Sequence, residues 1–199
     1  MPRIPNDIYR KVPSVDIYDS WELVTKHMPL EQPPSTASYV IFKKGNKVYA
    51  KNGETGHIEF EDKDAATVIN DVFDALPAYY GGRIFIKKGK YEITEPITPR
   101  SRFVLEGEAI GATTNCYGTC LYLADGAECN IINVYSWPAF GLIKDIFLWG
   151  NKTNQTGDYY GIHLKDVKDV MIQNVFIRDT SNTAIYVENP TTDIWNIFI

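Results

Sequence analysis

Ile143-Lys144-Asp145-Ile146-Phe147-Leu148, Ile172-Gln173-Asn174-Val175-Phe176-Ile177 and Ile194-Trp195-Asn196-Ile197-Phe198-Ile199 are three copies of one pattern: Ile, any residue, Asp or Asn, Ile or Val, Phe, then Leu or Ile. The copies stand 29 and 22 residues apart. Between them, Gly161-Ile162-His163-Leu164-Lys165-Asp166 is echoed 23 residues later by Ala184-Ile185-Tyr186-Val187-Glu188-Asn189. Short β-branched runs that recur at such a period, with polar turn residues between them, are how stacked β-coils appear in sequence. An all-β solenoid is the expected architecture.

The pattern has a physical reading at each position. In Ile146 to Leu148, Val175 to Ile177 and Ile197 to Ile199 the first and third residues face one way and the second the other, because side chains alternate along a strand. Aliphatics are then expected inside and Phe outside. The Ile that opens each copy stands three residues before the strand's first aliphatic, an odd step that alternation alone places on the wrong face. A bend at Asp145, Asn174 and Asn196 resolves this, since Asn and Asp tolerate left-handed backbone better than other non-Gly residues. Coils in register would stack these side chains in ladders.

Upstream, residues 1–38 hold six of the eleven prolines, a density that opposes long regular elements, although Asp16 to His27 has the makings of a short helix. Ile8, Tyr9, Tyr18, Trp21 and Leu30 are too apolar for a solvated tail, so this arm is expected either to pack on its own chain or to dock on another protein. Residues 39–60 read as a β-hairpin, with Tyr39 to Lys44 and Lys47 to Lys51 joined by Gly45-Asn46. Glu61 to Leu76 carries apolar residues at helical spacing (Ala65, Val68, Ile69, Val72, Phe73, Leu76), with Asp62 or Asp64 as cap and Pro77 as stop. After Gly81-Gly82, strands are expected in Arg83 to Ile93, Phe103 to Leu105, Cys120 to Leu123 and Asn130 to Tyr135, with a glycine-containing loop between Glu106 and Thr119.

The order of helix, Gly-Gly, strand, Gly-Lys-Tyr and strand, followed by the repeated hexapeptides, resembles the right-handed parallel β-helix of the pectate-lyase-like superfamily over residues 61–199. That superfamily includes polysaccharide lyases, polygalacturonase-type hydrolases, phage tailspikes and surface proteins of archaea and their viruses. The resemblance implies an N-terminal capping α-helix over the first coil, preceded here by the hairpin and the proline-rich extended arm. It implies coils rather than one reaction. The chain stops on a strand at Phe198-Ile199, which leads to the expectation that the natural protein continues or that another subunit covers the last coil.

Composition narrows the function classes. Hydrophobic residues at 44% and charged residues at 23% are those of an ordinary globular protein, whereas 13% aromatic residues suit strands and contact surfaces for carbohydrate or protein. A formal charge of −5 without a Lys/Arg cluster argues against nucleic acid, and no apolar run is long enough to span a membrane. Met1 to Asp7 contains no secretory h-region, so an extracellular or virion-surface location would be reached by another route or after removal of a leader. Cys116, Cys120 and Cys129 lack metal-ligand spacing; Cys116 and Cys120 are close enough to bridge, but buried free thiols are the expected state. Asn151-Lys152-Thr153 and Asn154-Gln155-Thr156 fit the glycan-acceptor pattern and point to an exposed loop.

The expected binding positions are a column of Phe147, Phe176 and Phe198, flanked by Trp149 and Arg178. Stacked at the strand spacing of about 4.8 Å, such rings form a strip that could lie under a loop or the arm, meet a sister chain, or hold sugar rings. Asp166, Asp169, Asp179 and Asp193, with Arg178, are the available groups for acid–base work. A lyase of the resembled superfamily would need carboxylates gathering Ca²⁺ and a basic residue beside the uronate, and a hydrolase two or three placed Asp. None of the signatures Asn-Thr-Asp, Asp-Asp, Gly-His-Gly or Arg-Tyr-Lys occurs, and carboxylates at coil corners are usually solvated turns. His163 has no partner that spacing identifies. No cofactor or metal is expected.

These readings favour a structural or receptor-binding spike or adhesin, fixed through residues 1–38 to a larger assembly such as a virion, with a homo-oligomer, a trimer by preference, among its partners. Its surface would bind a glycan or a host, with polysaccharide among the candidate ligands. The alternative is a carbohydrate-active enzyme, a polysaccharide lyase or glycoside hydrolase; a self-contained glycan-binding module lies between the two.

Overall fold

The computed structural model describes residues 35–100, 102–111, 115–135, 139–188 and 195–198, with residues 139 and 195–198 described by backbone alone. The chain divides into two units, Met1–Pro33 and Pro34–Ile199, and every described strand and helix belongs to the second. The expected helix over Asp16–His27, most of the arm, Asp193 and the bend at Asn196 lie outside the described residues or their side chains.

Strands β1 (Tyr39–Lys44) and β2 (Lys47–Asn52) form an antiparallel hairpin, and β3 (Ile58–Asp62) pairs antiparallel with β2. Helix α1 (Ala65–Ala75) starts at Asp64, whose carboxylate accepts the backbone N–H of Thr67, and ends before Pro77. Its apolar stripe of Ala65, Ala66, Val68, Ile69, Val72 and Phe73 is buried against the sheet. From there the strands run β4 (Gly82–Ile86), β5 (Gly89–Ile93), β6 (Phe103–Gly107), β7 (Thr119–Leu123), β8 (Ile132–Tyr135), β9 (Ala139–Trp149), β10 (Ile162–Lys165), β11 (Lys168–Arg178), β12 (Ile185–Glu188) and β13 (Trp195–Phe198). The described residues are mostly strand, and every pairing from β4 onward is parallel.

The repeats pair as their sequences align. Ile143 lies opposite Ile172, Ile146 opposite Val175, Phe147 opposite Phe176 and Leu148 opposite Ile177 between β9 and β11. Likewise Ile162 pairs with Ile185, His163 with Tyr186, Leu164 with Val187 and Lys165 with Glu188 between β10 and β12. Asp145 and Asn174 have φ of 57° and 53°, and the Asn174 amide donates to the Asp145 carboxylate at 2.6 Å. These corners reset the alternation, so Ile143 and Ile146 both reach the core even though they are three residues apart.

The corner also joins two sheet segments. The first half of β9 pairs with β6 and its second half with β7. Gly107 at the end of β6 lies against the same corner, where a β-carbon would come within 2.2 Å of the Asp145 carbonyl oxygen. Glycine is required there by close approach. Ile84, Ile86, Leu105, Leu121, Ile143, Leu148 and Val170 of the long sheet meet Ile132, Val134, Ile162 and Leu164 of the three-stranded sheet β8-β10-β12 in one core. Each such aliphatic contributes about 1.5–3 kcal/mol by leaving water, which dwarfs any exposed ion pair.

The third hexapeptide departs from expectation. Trp195, Ile197 and Phe198 pair with Lys168, Val170 and Met171, so Phe198 stands beside Met171 rather than Phe176. The corner at Asn174 explains why sequence could not separate the two registers. Val170 and Ile172 before it and Val175 and Ile177 after it all pack toward the core, so an Ile on β13 finds an aliphatic partner either way.

Substitution at the corner tests this account. Asn174→Ala should lower unfolding stability by about 1–2 kcal/mol in urea titration, because a β-carbon without a polar side chain resists φ above zero. Asn174→Gly loses the same hydrogen bond yet should cost measurably less; equal losses would show that the corner is not under backbone constraint.

Candidate binding surfaces on the two sheets

On the outward side of the long sheet, register brings Glu92, Tyr122, Trp149 and Arg178 into one row and Lys90, Cys120, Phe147 and Phe176 into the next. Trp149 packs edge-to-face with Tyr122 at 5.4 Å and lies 6.0 Å from Phe147, which is itself 5.3 Å from Phe176. The Arg178 guanidinium sits 5.4 Å from the Trp149 ring centre and the Lys90 ammonium 3.3 Å from that of Tyr122. Each such contact is worth about 0.5–1 kcal/mol at an exposed site. Asp179 accepts from Arg178 Nε at 3.0 Å, which fixes the guanidinium over the ring. Burial raises the Tyr122 phenol above its ordinary pKa, with Asp125 and Glu92 adding to it, so this ring remains a neutral donor.

Of the residues read from sequence as binding candidates, Trp149, Phe176 and Arg178 thus come together, while Phe198 is placed elsewhere and Phe147 is not available. Phe147 points outward as its position in the strand requires, but it is fully buried in a small cluster with Cys116 and Cys120. The loop between β6 and β7 covers it. Cys116 and Cys120 are joined as a disulfide, which corrects the expectation of free thiols for this pair. Gly118, with φ of +81°, folds the loop back so that the two Cα atoms lie 5.3 Å apart, inside the bridging range. Cys129 stays a thiol, and burial lifts its pKa to about 11.

Three of the four acid–base candidates stand at corners of the backbone. Asp166, Asp169 and Asp179 have φ of 53°, 52° and 51°, the same left-handed corner as Asp145 and Asn174. Asn151, the first acceptor-pattern asparagine, is a corner too, with φ of 49°; it is buried, and its amide donates to the Leu123 carbonyl and the Asp125 carboxylate. Asn154 donates to the same carboxylate. These amides hold a loop in place. Among the described residues no group of three or more His, Cys, Asp or Glu gathers as a metal site, and no helix is long and apolar enough to cross a membrane.

Sequence reasoning missed a second cluster on the three-stranded sheet. His163 Nδ1 lies 3.0 Å from the Tyr135 hydroxyl and Nε2 lies 3.1 Å from Glu188 Oε2. The carboxylate selects Nε2 as the donor, so Nδ1 accepts from the Tyr135 O–H. Lys165 donates to the other Glu188 oxygen at 3.1 Å, and this bond lowers the Glu188 pKa and raises that of Lys165. Tyr160 and Tyr186 stack at 4.5 Å beside the imidazole. The signal was present in the 23-residue echo, which aligns His163 with Tyr186 and Lys165 with Glu188.

No protein-family model matches the chain, and no curated protein sequence does. Solved structures do. The A-module of mannuronan C-5 epimerase AlgE4 from Azotobacter vinelandii matches 66% of this chain and 38% of its own with 20% identity and a TM-score of 0.56. The AlgE6 A-module from the same organism matches the same shares with 22% identity and a TM-score of 0.54. ORF18 of Geobacillus virus E2 matches 78% of this chain and 37% of its own with 16% identity and a TM-score of 0.50. These neighbours are of parallel β-helix type, and at such identities the likeness is one of fold. The chain spans under two fifths of the length of each.

The two phenylalanines of the strip separate a covered position from an open one. Phe147→Ala should cost about 3–5 kcal/mol in chemical unfolding, the usual figure for emptying a buried aromatic site. Phe176→Ala, at a ring 42% exposed, should cost less than about 1 kcal/mol. Similar losses at both would contradict the covered placement of Phe147.

Proposed function

We propose that the chain folds as a right-handed parallel β-helix whose first coil is covered by α1, and that it acts as an attachment protein that holds a glycan on its flank. In this reading residues 1–38 dock on a larger assembly such as a virion, residues 39–60 form the hairpin beside the first coil, and residues 61–199 carry the binding face at an extracellular or virion surface. A trimer is the proposed oligomer. The observation that carries the reading is the part-exposed Trp149 ring, gripped by Tyr122 and Phe147 with the Arg178 guanidinium across it, a rigid flat platform edged by fixed hydrogen-bond donors. The neighbours lend support as analogy: two are modules of enzymes named for a polysaccharide, mannuronan, and one comes from a virus.

The alternative is a polysaccharide lyase or glycoside hydrolase, for which Asp166, Asp169 and Asp179, all at backbone corners, would be the acid–base groups. An array of bacterial and archaeal surface polysaccharides tests the proposal. The full chain should be retained by at least one of them, with Trp149→Ala weakening retention tenfold or more, equivalent to about 1.4 kcal/mol. Retention unaffected by Trp149→Ala, or release of unsaturated uronates or new reducing ends by the full chain, would sink it.

A further inference from the structure

We propose that the outward face of the three-stranded sheet is a second saccharide site, built for a neutral pyranose and independent of the Trp149 platform. Its residues are Tyr135, Tyr160, His163, Lys165, Tyr186 and Glu188. Register stacks Tyr186 on His163 in one column and Glu188, Lys165 and Tyr135 in the next. The strands that carry this face also feed the core through Ile132, Val134, Ile162 and Leu164, so the face rests on a packed layer.

Three features point to a sugar. First, Tyr160 and Tyr186 stack face to face, with 16° between ring planes at 4.5 Å, so each ring braces the other, while Tyr186 remains 38% exposed. A braced, part-exposed ring of that kind suits the apolar C–H face of a pyranose. Second, the polar groups beside it are fixed before any ligand arrives: Tyr135 to His163, His163 to Glu188, and Glu188 to Lys165. Groups already held in place lose little freedom on binding. The Tyr135 oxygen keeps acceptor capacity, Lys165 keeps N–H groups, and Glu188 keeps lone pairs, which together match the mixed donors and acceptors of sugar hydroxyls. Third, Tyr160 is itself tied down: its backbone N–H donates to Asn130 Oδ1 at 2.7 Å, and the Asn130 amide donates to Asn133 at 2.9 Å in the column beneath His163.

Charge decides the class of sugar. Glu188 cancels Lys165 at hydrogen-bond distance, and Asp166 adds to the negative side. With no excess cation among these residues, a uronate or sulfated sugar would have to break the pair to gain a counter-ion, whereas a neutral pyranose uses both ends as they stand.

Isothermal titration of the full chain with maltohexaose, cellohexaose and mannohexaose, and with a mannuronate hexamer as the acidic probe, tests this. At least one neutral hexamer should bind, at least tenfold more tightly than the mannuronate hexamer. Tyr186→Ala should weaken it tenfold or more, while Tyr186→Phe stays within threefold and Trp149→Ala leaves it unchanged. Glu188→Gln, which keeps the side chain's shape, should raise affinity for the mannuronate hexamer threefold or more because Lys165 is then uncancelled. Failure of all three neutral hexamers to bind, binding indifferent to Tyr186→Ala, or a preference for the acidic probe overturns the proposal. Loss through Trp149→Ala instead would place the sugar on the long sheet, overturning this second site and leaving the attachment reading standing.

Discussion

Left-handed backbone at corners that are not glycine is the constraint on which the rest of the structure depends. Asp145, Asn151, Asp166, Asp169, Asn174 and Asp179 all have φ near +50°. An ordinary L-residue would give up about 1–2 kcal/mol at each, a burden that short polar side chains lighten by local hydrogen bonding. The result is control of phase. A strand alternates its faces rigidly, and a single left-handed residue is the smallest change that makes two consecutive strand segments present aliphatics to the same core. The Asn174 amide on the Asp145 carboxylate ties that correction on β11 to the one on β9. Asp166, Asp169 and Asp179, which a search for catalytic groups would single out, thus also have a backbone role.

Between rungs, apolar burial and charge divide the work unequally. Most of the stabilisation comes from the aliphatic ladders, since a buried Ile or Leu contributes several times what a surface ion pair does. Glu106 is the instructive exception. It is nearly buried, takes Arg83 Nε at 2.8 Å on one oxygen and lies 3.1 Å from Lys144 Nζ on the other, and so links β4, β6 and β9 across the sheet. Both cations are a quarter or more exposed, so the attraction is screened. What Glu106 adds is register: a shifted β6 would leave a carboxylate in a low-dielectric place without its partners, a cost well above the value of the pair itself.

The sequence was legible wherever pattern and register coincide. The β9–β11 and β10–β12 pairings follow from aligned repeats, and the helical stripe of α1 with its Asp64 cap follows from spacing. It was illegible where two arrangements satisfy the same pattern. Ile197 can meet Val170 or Val175 without changing which residues are inside, so the position of Phe198 could not be read. The burial of Phe147 was hidden for a different reason: strand alternation fixes direction, but whether an outward ring is wet depends on a distant loop, here one pinned through Cys116 and Cys120. His163 looked isolated because its partners, Tyr135 and Glu188, are 28 and 25 residues away and become neighbours only when β8, β10 and β12 pair in parallel.

Stacking therefore produces sites as well as stability. A residue on a parallel strand acquires as neighbours whatever stands opposite it on the strands at either side, so a surface of six side chains can be assembled from positions with no local motif. The two outward faces illustrate how the same rule gives different chemistry. On the long sheet, aromatic rings lie under cations, with Lys90 over Tyr122 and Arg178 over Trp149, and part of the row is roofed by the disulfide-bound loop. On the three-stranded sheet the rings stack on each other and Lys165 and Glu188 are closed into a pair, so polarity without excess positive charge faces outward. Since each strand adds one residue per column, exchanging a single outward residue alters one position of one face while the inward aliphatics, and with them the fold, stay as they are. That separation lets a sheet of parallel strands change its outward chemistry without changing its fold.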